Sequence, residues 1–252
     1  MIILIIIIAV LLFLVIKNWL SKRFVLRCFH DGNVCVTGLR GRGKDVLFNY
    51  VVRRRAQRYI SNVDYGGRHE EFEPANQFSV GGNTCNNFIG GDVIPYTYPY
   101  PDGIDYYISD AQLYFPSQEF AMLNNRYRSF PVFQSLSRHL GDCNVHINTQ
   151  NLNRVWDKIR EQSDMYISCQ RCTFFFGRIV RLKVIAYDKM QSCIDRVQPF
   201  KRRMGKQGRI AYDTLRAQFG NIKPMTLWFI HRGNYDTRRF KKYLENGGVK
   251  VE

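Results

Sequence analysis

The run Gly38-Leu39-Arg40-Gly41-Arg42-Gly43-Lys44-Asp45 constrains this chain more than any other segment. It follows a short β-rich run, Asn33 to Thr37, and precedes a segment that reads as a helix, Val46 to Gln57. Strand, glycine-rich turn and helix, with the spacing Gly-x-x-x-x-Gly-Lys, form the Walker A pattern. Its backbone N–H groups cradle phosphates, its lysine reaches the terminal ones, and the following helix points its positive end at the same anion. The pattern predicts an α/β domain with a mainly parallel central sheet, binding ATP with Mg2+ through Gly38, Leu39, Arg40, Gly41, Arg42, Gly43, Lys44 and Asp45. One position departs from the pattern: Asp45 stands where a Ser or Thr hydroxyl ordinarily meets the magnesium ion.

Met1 to Ile16 is an unbroken apolar run, and Trp19 and Leu20 extend it past Lys17. That is about the length a helix needs to cross a bilayer. No basic residue precedes the run and no small-residue cleavage site closes it, so it reads as a retained anchor rather than a secretory signal. Lys17, Lys22, Arg23 and Arg27 all follow it, and the positive-inside bias places the rest of the chain in the cytoplasm. The expected division is a transmembrane anchor at 1–20, an ATPase domain at 21–200 and a basic segment at 201–252.

The formal charge of +16 points to an anionic partner such as nucleic acid or an anionic lipid surface, with a plain solubility feature as the alternative. From Arg196 to Glu252, 14 Lys and Arg face 4 Asp and Glu, and Lys201, Arg202, Arg203, Lys206 and Arg209 cluster there. A chain that is 45% hydrophobic and 14% aromatic is not a disordered one. Seven scattered cysteines, an odd number in mostly apolar runs, suit buried thiols in a reducing compartment. Cys169 and Cys172 form a C-x-x-C with no second pair, which is too few ligands for a structural zinc.

Ile104 to Ser117 reads as an apolar strand ending in an acidic residue, expected to lie beside the phosphate-loop strand. The stretch Ala111-Gln112-Leu113-Tyr114-Phe115-Pro116-Ser117 resembles the signature of the zonula occludens toxin-like family of filamentous-phage assembly ATPases, where such a strand ends in Asp-Glu-Ala-Gln or Asp-Glu-Ala-His before aromatics and Pro-Ser. In that register Ser109 takes the family's magnesium-associated Asp position and Asp110 that of the water-activating Glu. Asp45 and Ser109 then look like one exchange, the carboxylate in the first motif and the hydroxyl in the second. A shift of one residue would instead make Asp110 the metal-associated carboxylate and put Ala111 where a base is needed.

Similar DNA-pumping ATPases carry a strand ending in Thr-Gln, matched by Thr149-Gln150, and an Ile-Arg pair soon after, matched by Ile159-Arg160. The resemblance therefore implies that Gln150 senses the γ-phosphate and that Arg160 completes a neighbouring subunit's site; a surface charge pairing with Asp157 or Glu161 is the plainer reading of Arg160. It further implies a ring-shaped homo-oligomer such as a hexamer, DNA and other phage assembly proteins as partners, and particle assembly or DNA extrusion at the host cytoplasmic membrane. The alternatives are a motor loading DNA into a capsid and a membrane scaffold that binds nucleotide without turnover.

Elsewhere, Tyr59 to Tyr65 reads as a strand, Gly66 to Gly103 as a long excursion bearing Tyr96, Tyr98 and Tyr100, and Thr173 to Tyr187 as a hairpin turning near Gly177. Asn144 to Gln150 and Met165 to Cys169 read as strands, with Trp156 to Gln162 as a helix between them. Arg53, Arg54, Arg55 and Arg58 are expected at the end of the helix that follows the loop, where cations favour its dipole.

Overall fold

The computed structural model describes residues 2–55, 58–72, 88–89, 92–93, 103–119, 130–131, 133–135, 137, 142–188, 205–206 and 222–231. Tyr96, Tyr98, Tyr100, Cys85, Cys193, Lys201, Arg202, Arg203 and Arg209 lie outside them. The elements run α1 (Ile2–Asp31), β1 (Val34–Thr37), α2 (Lys44–Arg55), β2 (Arg58–Ser61), β3 (Arg68–Glu71), the short pair β4 (Phe88–Ile89) and β5 (Asp92–Val93), β6 (Asp105–Ile108), β7 (Val145–Thr149), the single turn α3 (Asp157–Arg160), β8 (Met165–Phe175), β9 (Ile179–Asp188) and β10 (Ile222–Ile230).

The main sheet has eight strands in the order β10-β9-β8-β1-β7-β6-β2-β3. The run from β8 to β3 is parallel throughout. Strands β9 and β10 extend it antiparallel, with β8 and β9 joined by a tight hairpin at Gly177. Every residue of β1 and β7 is buried, the mark of central parallel strands covered on both faces. Residue alternation sorts the side chains between two cores. Val34, Val36, Tyr107 and Ile167 pack with Val25 and Phe29 of α1 and Phe48 and Val51 of α2. Cys35, Tyr106, Ile108 and Tyr166 pack on the other face with Phe115, Phe130, Phe133 and Trp156.

Two expectations change. The acidic-ended strand β6 is not beside β1, because β7 lies between them and pairs with both. Arg58 opens β2 rather than closing α2, and its guanidinium pairs with Glu70 across the β2–β3 ladder. α1 continues unbroken to Asp31 because Val25, Cys28 and Phe29 supply a buried face for the domain core. Within 201–252, β10 joins the sheet, pairing with β9 along its whole length.

Residues Ile3–Ile16 of α1 are exposed, and this is the one helix among the described residues long and apolar enough to cross a membrane. Asn18 meets the open side of the edge strand β10: its amide donates to Trp228 O at 3.1 Å and accepts from Trp228 N at 2.9 Å. Among the described residues no further strand pairs with those backbone groups, and a helix side chain satisfies them at the sheet edge.

Candidate functional site

The glycine loop leaves the C-terminal end of β1 and closes against β8. Gly38 and Gly43 both adopt positive φ, +153° and +92°. A side chain at Gly38 would stand 2.7 Å from the Cys169 carbonyl, and one at Gly43 would stand 2.8 Å from Cys172 Cβ and Leu182 Cδ1. Both the conformation and the close approach require glycine. Arg42 clamps the loop from outside, donating to Gln170 O at 2.6 Å. Lys44 and Asp45 open α2, with Lys44 buried beneath the loop.

The strand order decides which side chains meet Asp45. Because β7 separates β1 from β6, its last residues lie between the loop and the end of β6. Asp45 Oδ1 accepts from Ser109 Oγ at 2.6 Å, from Asn148 Nδ2 at 2.9 Å and from Tyr65 OH at 3.4 Å. Asn148 Nδ2 also donates to Ser109 Oγ at 3.1 Å. The amide cannot be turned round, because its oxygen accepts the Asp110 N–H at 2.8 Å. Asn62 fixes the Ser109 backbone from the β2 side, accepting its N–H at 2.7 Å and donating to its carbonyl at 2.8 Å.

Asp110 follows in the left-handed conformation, φ 47° and ψ 50°, which Asp tolerates better than most residues and which recurs at active sites. Its carboxylate accepts from Gln112 Nε2 at 3.1 Å, and Gln112 Oε1 accepts in turn from Thr149 Oγ1 at 2.6 Å. The expected pair Asp45 and Ser109 therefore converges, and Asp110 stands one residue away with its side chain held by different partners. Gln150 lies one residue beyond β7, half-buried. The amide touching Asp45 and Ser109 is that of Asn148, two residues earlier and on the same strand face. Arg160 donates through Nη1 to Leu152 O at 2.9 Å and to Asn153 Oδ1 at 3.5 Å, on the turn just after β7.

Asn148, Asn62 and Tyr65 carried no site role in the sequence reading, and Gln112 appeared there only within the Ala111–Ser117 stretch. A usable signal existed for Asn148, a carboxamide near the end of an otherwise apolar strand. The C-x-x-C has a different use from metal or redox chemistry. Burial pushes the Cys169 and Cys172 thiols up, which disfavours the reactive thiolate. Their main-chain and Cβ atoms instead form the wall against which Gly38 and Gly43 pack.

The donor set fits a hydrated Mg2+ beside a nucleotide, an ion that takes one or two carboxylate oxygens and otherwise phosphates and water. All three hydrogen bonds to Asp45 take Oδ1, and among the described residues none is directed at Oδ2.

No protein-family model matches the chain, and no curated protein does. Among solved structures it is similar to the N-terminal domain of zonular occludens toxin from Neisseria meningitidis, at 9% identity over 83% of this chain and 97% of that one, with a TM-score of 0.37. It is also similar to the genome packaging NTPase B204 from Sulfolobus turreted icosahedral virus 2 in complex with sulfate, at 14% identity over 81% and 100% of the two chains and a TM-score of 0.37. The same NTPase in complex with ATP-gammaS matches at 14% identity over 55% and 75%, with a TM-score of 0.31. The chain's own geometry, a glycine loop passing from β1 to α2 within the parallel order β8-β1-β7-β6-β2, makes this an α/β P-loop fold.

Proposed function

We propose that this protein is a membrane-anchored ATPase that works as a homo-oligomer on DNA and other phage proteins, driving particle assembly or DNA extrusion at the host cytoplasmic membrane. The observation that carries the catalytic part is the convergence of Asp45, Ser109 and Asn148 at the start of α2, 2.6 to 3.1 Å apart, directly behind the phosphate loop. A merely structural glycine turn has no need of a carboxylate held by three donors at that point.

In this reading the loop amides and Lys44 hold the ATP phosphates, and Ser109 and Asn148 fix the Asp45 carboxylate so that Oδ2 faces the γ-phosphate side. Asp45 would hold Mg2+ through Oδ2, with Ser109 as the neighbouring oxygen; the ion, when bound, neutralises charge on the β- and γ-phosphates. Asp110 accepts a proton from the attacking water as its oxygen bonds to the γ-phosphorus and the bond to the β–γ bridging oxygen breaks, giving ADP and phosphate. Asn148, which touches both Asp45 and the Asp110 backbone, relays the state of the γ-phosphate, a role that the family resemblance implies for Gln150. Arg160 would act on the neighbouring subunit's nucleotide, stabilising charge in the transition state. The anchor reading rests on the exposed apolar run of α1, and the cytoplasmic placement on the basic residues that follow it.

The test is an ATPase assay of the full chain in lipid nanodiscs, with and without DNA, beside Lys44→Ala. Turnover that requires magnesium and vanishes in the variant supports the reading. Unchanged nucleotide affinity in Lys44→Ala refutes the loop assignment, and binding without turnover favours a nucleotide-gated scaffold.

A further inference from the structure

Among the described residues, exposed large apolar side chains outside the apolar run of α1 gather at the tip of the β8–β9 hairpin. Phe174 is 48% exposed, Phe176 is 96% exposed and Ile179 is 40% exposed, and Ile230 at the end of β10 adds a residue 61% exposed. Phe176 takes a positive φ of 50°, a conformation uncommon for a bulky residue, and Gly177 turns the chain behind it. Large aromatics held outward on a short turn are not a feature that folding alone requires.

The direction of α1 says what covers this tip. His30 and Asn144 meet below the sheet, where the Asn144 amide donates to His30 O at 3.2 Å, so α1 ends at the N-terminal edge of the parallel strands. Going back along α1, Phe24 lies under the Lys223 ammonium and Asn18 bonds the Trp228 backbone. Moving from Phe24 toward the apolar run is therefore moving along β10 from Lys223 toward Ile230. Trp228 sits at the level of Asn18 and Trp19, and past that level α1 is the apolar run itself. Ile230 lies two residues past Trp228, about 7 Å farther at strand rise. It is in register with Ile179, which pairs with Phe175. The hairpin tip is thus carried past the two tryptophans on the same side as the apolar helix.

The chemistry is graded as a bilayer boundary demands. Trp19 and Trp228 share the level where interfacial aromatics gather. Arg23 lies over the Trp19 ring and Arg181 over the Trp228 ring, each 5.4 Å from the centroid. Phe175 stacks on Trp228 at 5.5 Å. Beyond this belt of cations and indoles, the exposed side chains are chiefly phenylalanine and isoleucine. Arg178, on the turn, is long enough to carry its charge back toward headgroups.

We propose that the β8–β9 hairpin tip inserts Phe174 to Phe176, with Ile179 and Ile230, into the lipid bilayer beside α1, as a second membrane contact that fixes the domain's orientation. The occupant is the acyl region of an anionic membrane, and the proposal rests on the anchor reading above.

Depth-dependent quenching tests both separately. The full chain is reconstituted into phosphatidylglycerol/phosphatidylethanolamine vesicles whose acyl chains carry bromine, in a Trp19→Phe, Trp228→Phe background. Trp156, buried in the core, remains as an indicator of folding. Phe176→Trp and, separately, Leu12→Trp place a reporter on the tip and on the anchor. The expected result is that both lose severalfold more fluorescence in brominated than in plain vesicles, while the background does not. If Leu12→Trp is quenched and Phe176→Trp is not, the tip proposal is overturned and the anchor stands. If neither is quenched, the anchor reading fails and the tip proposal fails with it. Phe176 is almost wholly exposed, so the substitution leaves the core untouched, and an unchanged Trp156 emission verifies that.

Discussion

Exchanging the two oxygen-bearing residues at the heart of the site gives the sharpest test of its architecture. Asp45 Oδ1 accepts from both Ser109 and Asn148, and hydrogen bonds to a charged acceptor contribute roughly 1.5–3 kcal/mol each against about 1 kcal/mol for neutral ones. Asp45→Ser turns both into neutral contacts and should cost about 2 kcal/mol. Ser109→Asp alone puts a second carboxylate where a hydroxyl now sits 2.6 Å from Asp45. Even after relaxing to about 4 Å, two like charges repel by about 4 kcal/mol at the effective dielectric of such a site. The double change restores one carboxylate and one hydroxyl in the opposite order, with Asn148 still facing both. It should therefore lose no more than about 1–2 kcal/mol, giving a coupling of roughly 4 kcal/mol in the double-mutant cycle. The measurement is urea unfolding of the full chain in detergent, without nucleotide or magnesium, paired with ATP turnover in nanodiscs. In the second assay each single change should impair turnover and the double should recover part of it. Additivity of the stability changes to within about 0.5 kcal/mol would show that the pair does not interact, and the reasoning about the site would fall with it.

Gly43→Ala should destabilise the loop by about 1–3 kcal/mol and weaken ATP binding, because a methyl would meet Cys172 and Leu182 at 2.8 Å at a φ of +92°. Gly41→Ala, with nothing within 4 Å of the added carbon, should show only the smaller conformational cost, so equal effects on thermal unfolding would contradict the packing argument. Acid should unfold the protein in two stages. Burial holds His146 neutral, below its usual range, with Nδ1 accepting from Val34 N–H. Burial alone would raise Asp105, but His146, the Asn144 N–H and Arg55 together hold it below the usual range. Both groups bind fewer protons folded than unfolded, so stability is complete above the unfolded histidine pKa of about 6.5 and declines as pH falls, with Asp105 adding its loss below about 4. Unfolding midpoints should therefore drop between about pH 7.5 and 5, and His146→Gln should flatten that slope; an unchanged slope would remove His146 as its source. A reporter fused after Glu252 should behave as cytoplasmic, and periplasmic activity would overturn the charge argument for orientation.

Local chemistry made much of this legible in the sequence. The loop was readable because glycine at positive φ and lysine at a fixed spacing are requirements of phosphate geometry, independent of the rest of the fold. The β8–β9 hairpin was readable from alternation around Gly177. What sequence could not supply was lateral order. Nothing local states that β7 slips between β1 and β6, yet that insertion decides that Asn148 reaches both Asp45 and Ser109. Gln150 stands in the familiar Thr-Gln place, but it lies past the end of the paired strand, and an amide two residues earlier on the same face meets the network. The continuation of α1 was obscured for a related reason. Its inner half alternates basic and apolar residues, which reads as flanking sequence until Val25 and Phe29 are seen to be core.

Phe29 ties α1 to the polar network behind the glycine loop. Its ring stacks on Tyr107 at 6.4 Å, meets Phe48 edge-on at 6.1 Å and meets His146 at 4.8 Å. Tyr107 lies two residues before Ser109, His146 two before Asn148, and Phe48 three after Asp45. One side chain from α1 therefore bears on the three elements whose adjoining residues form the polar network. Interiors this closely packed do not deform continuously, so a change in how α1 is seated must be taken up by those three elements together. On the side of β1 away from β7, β8 supports Gly43 through Cys172 and reaches the exposed hairpin two residues later at Phe174.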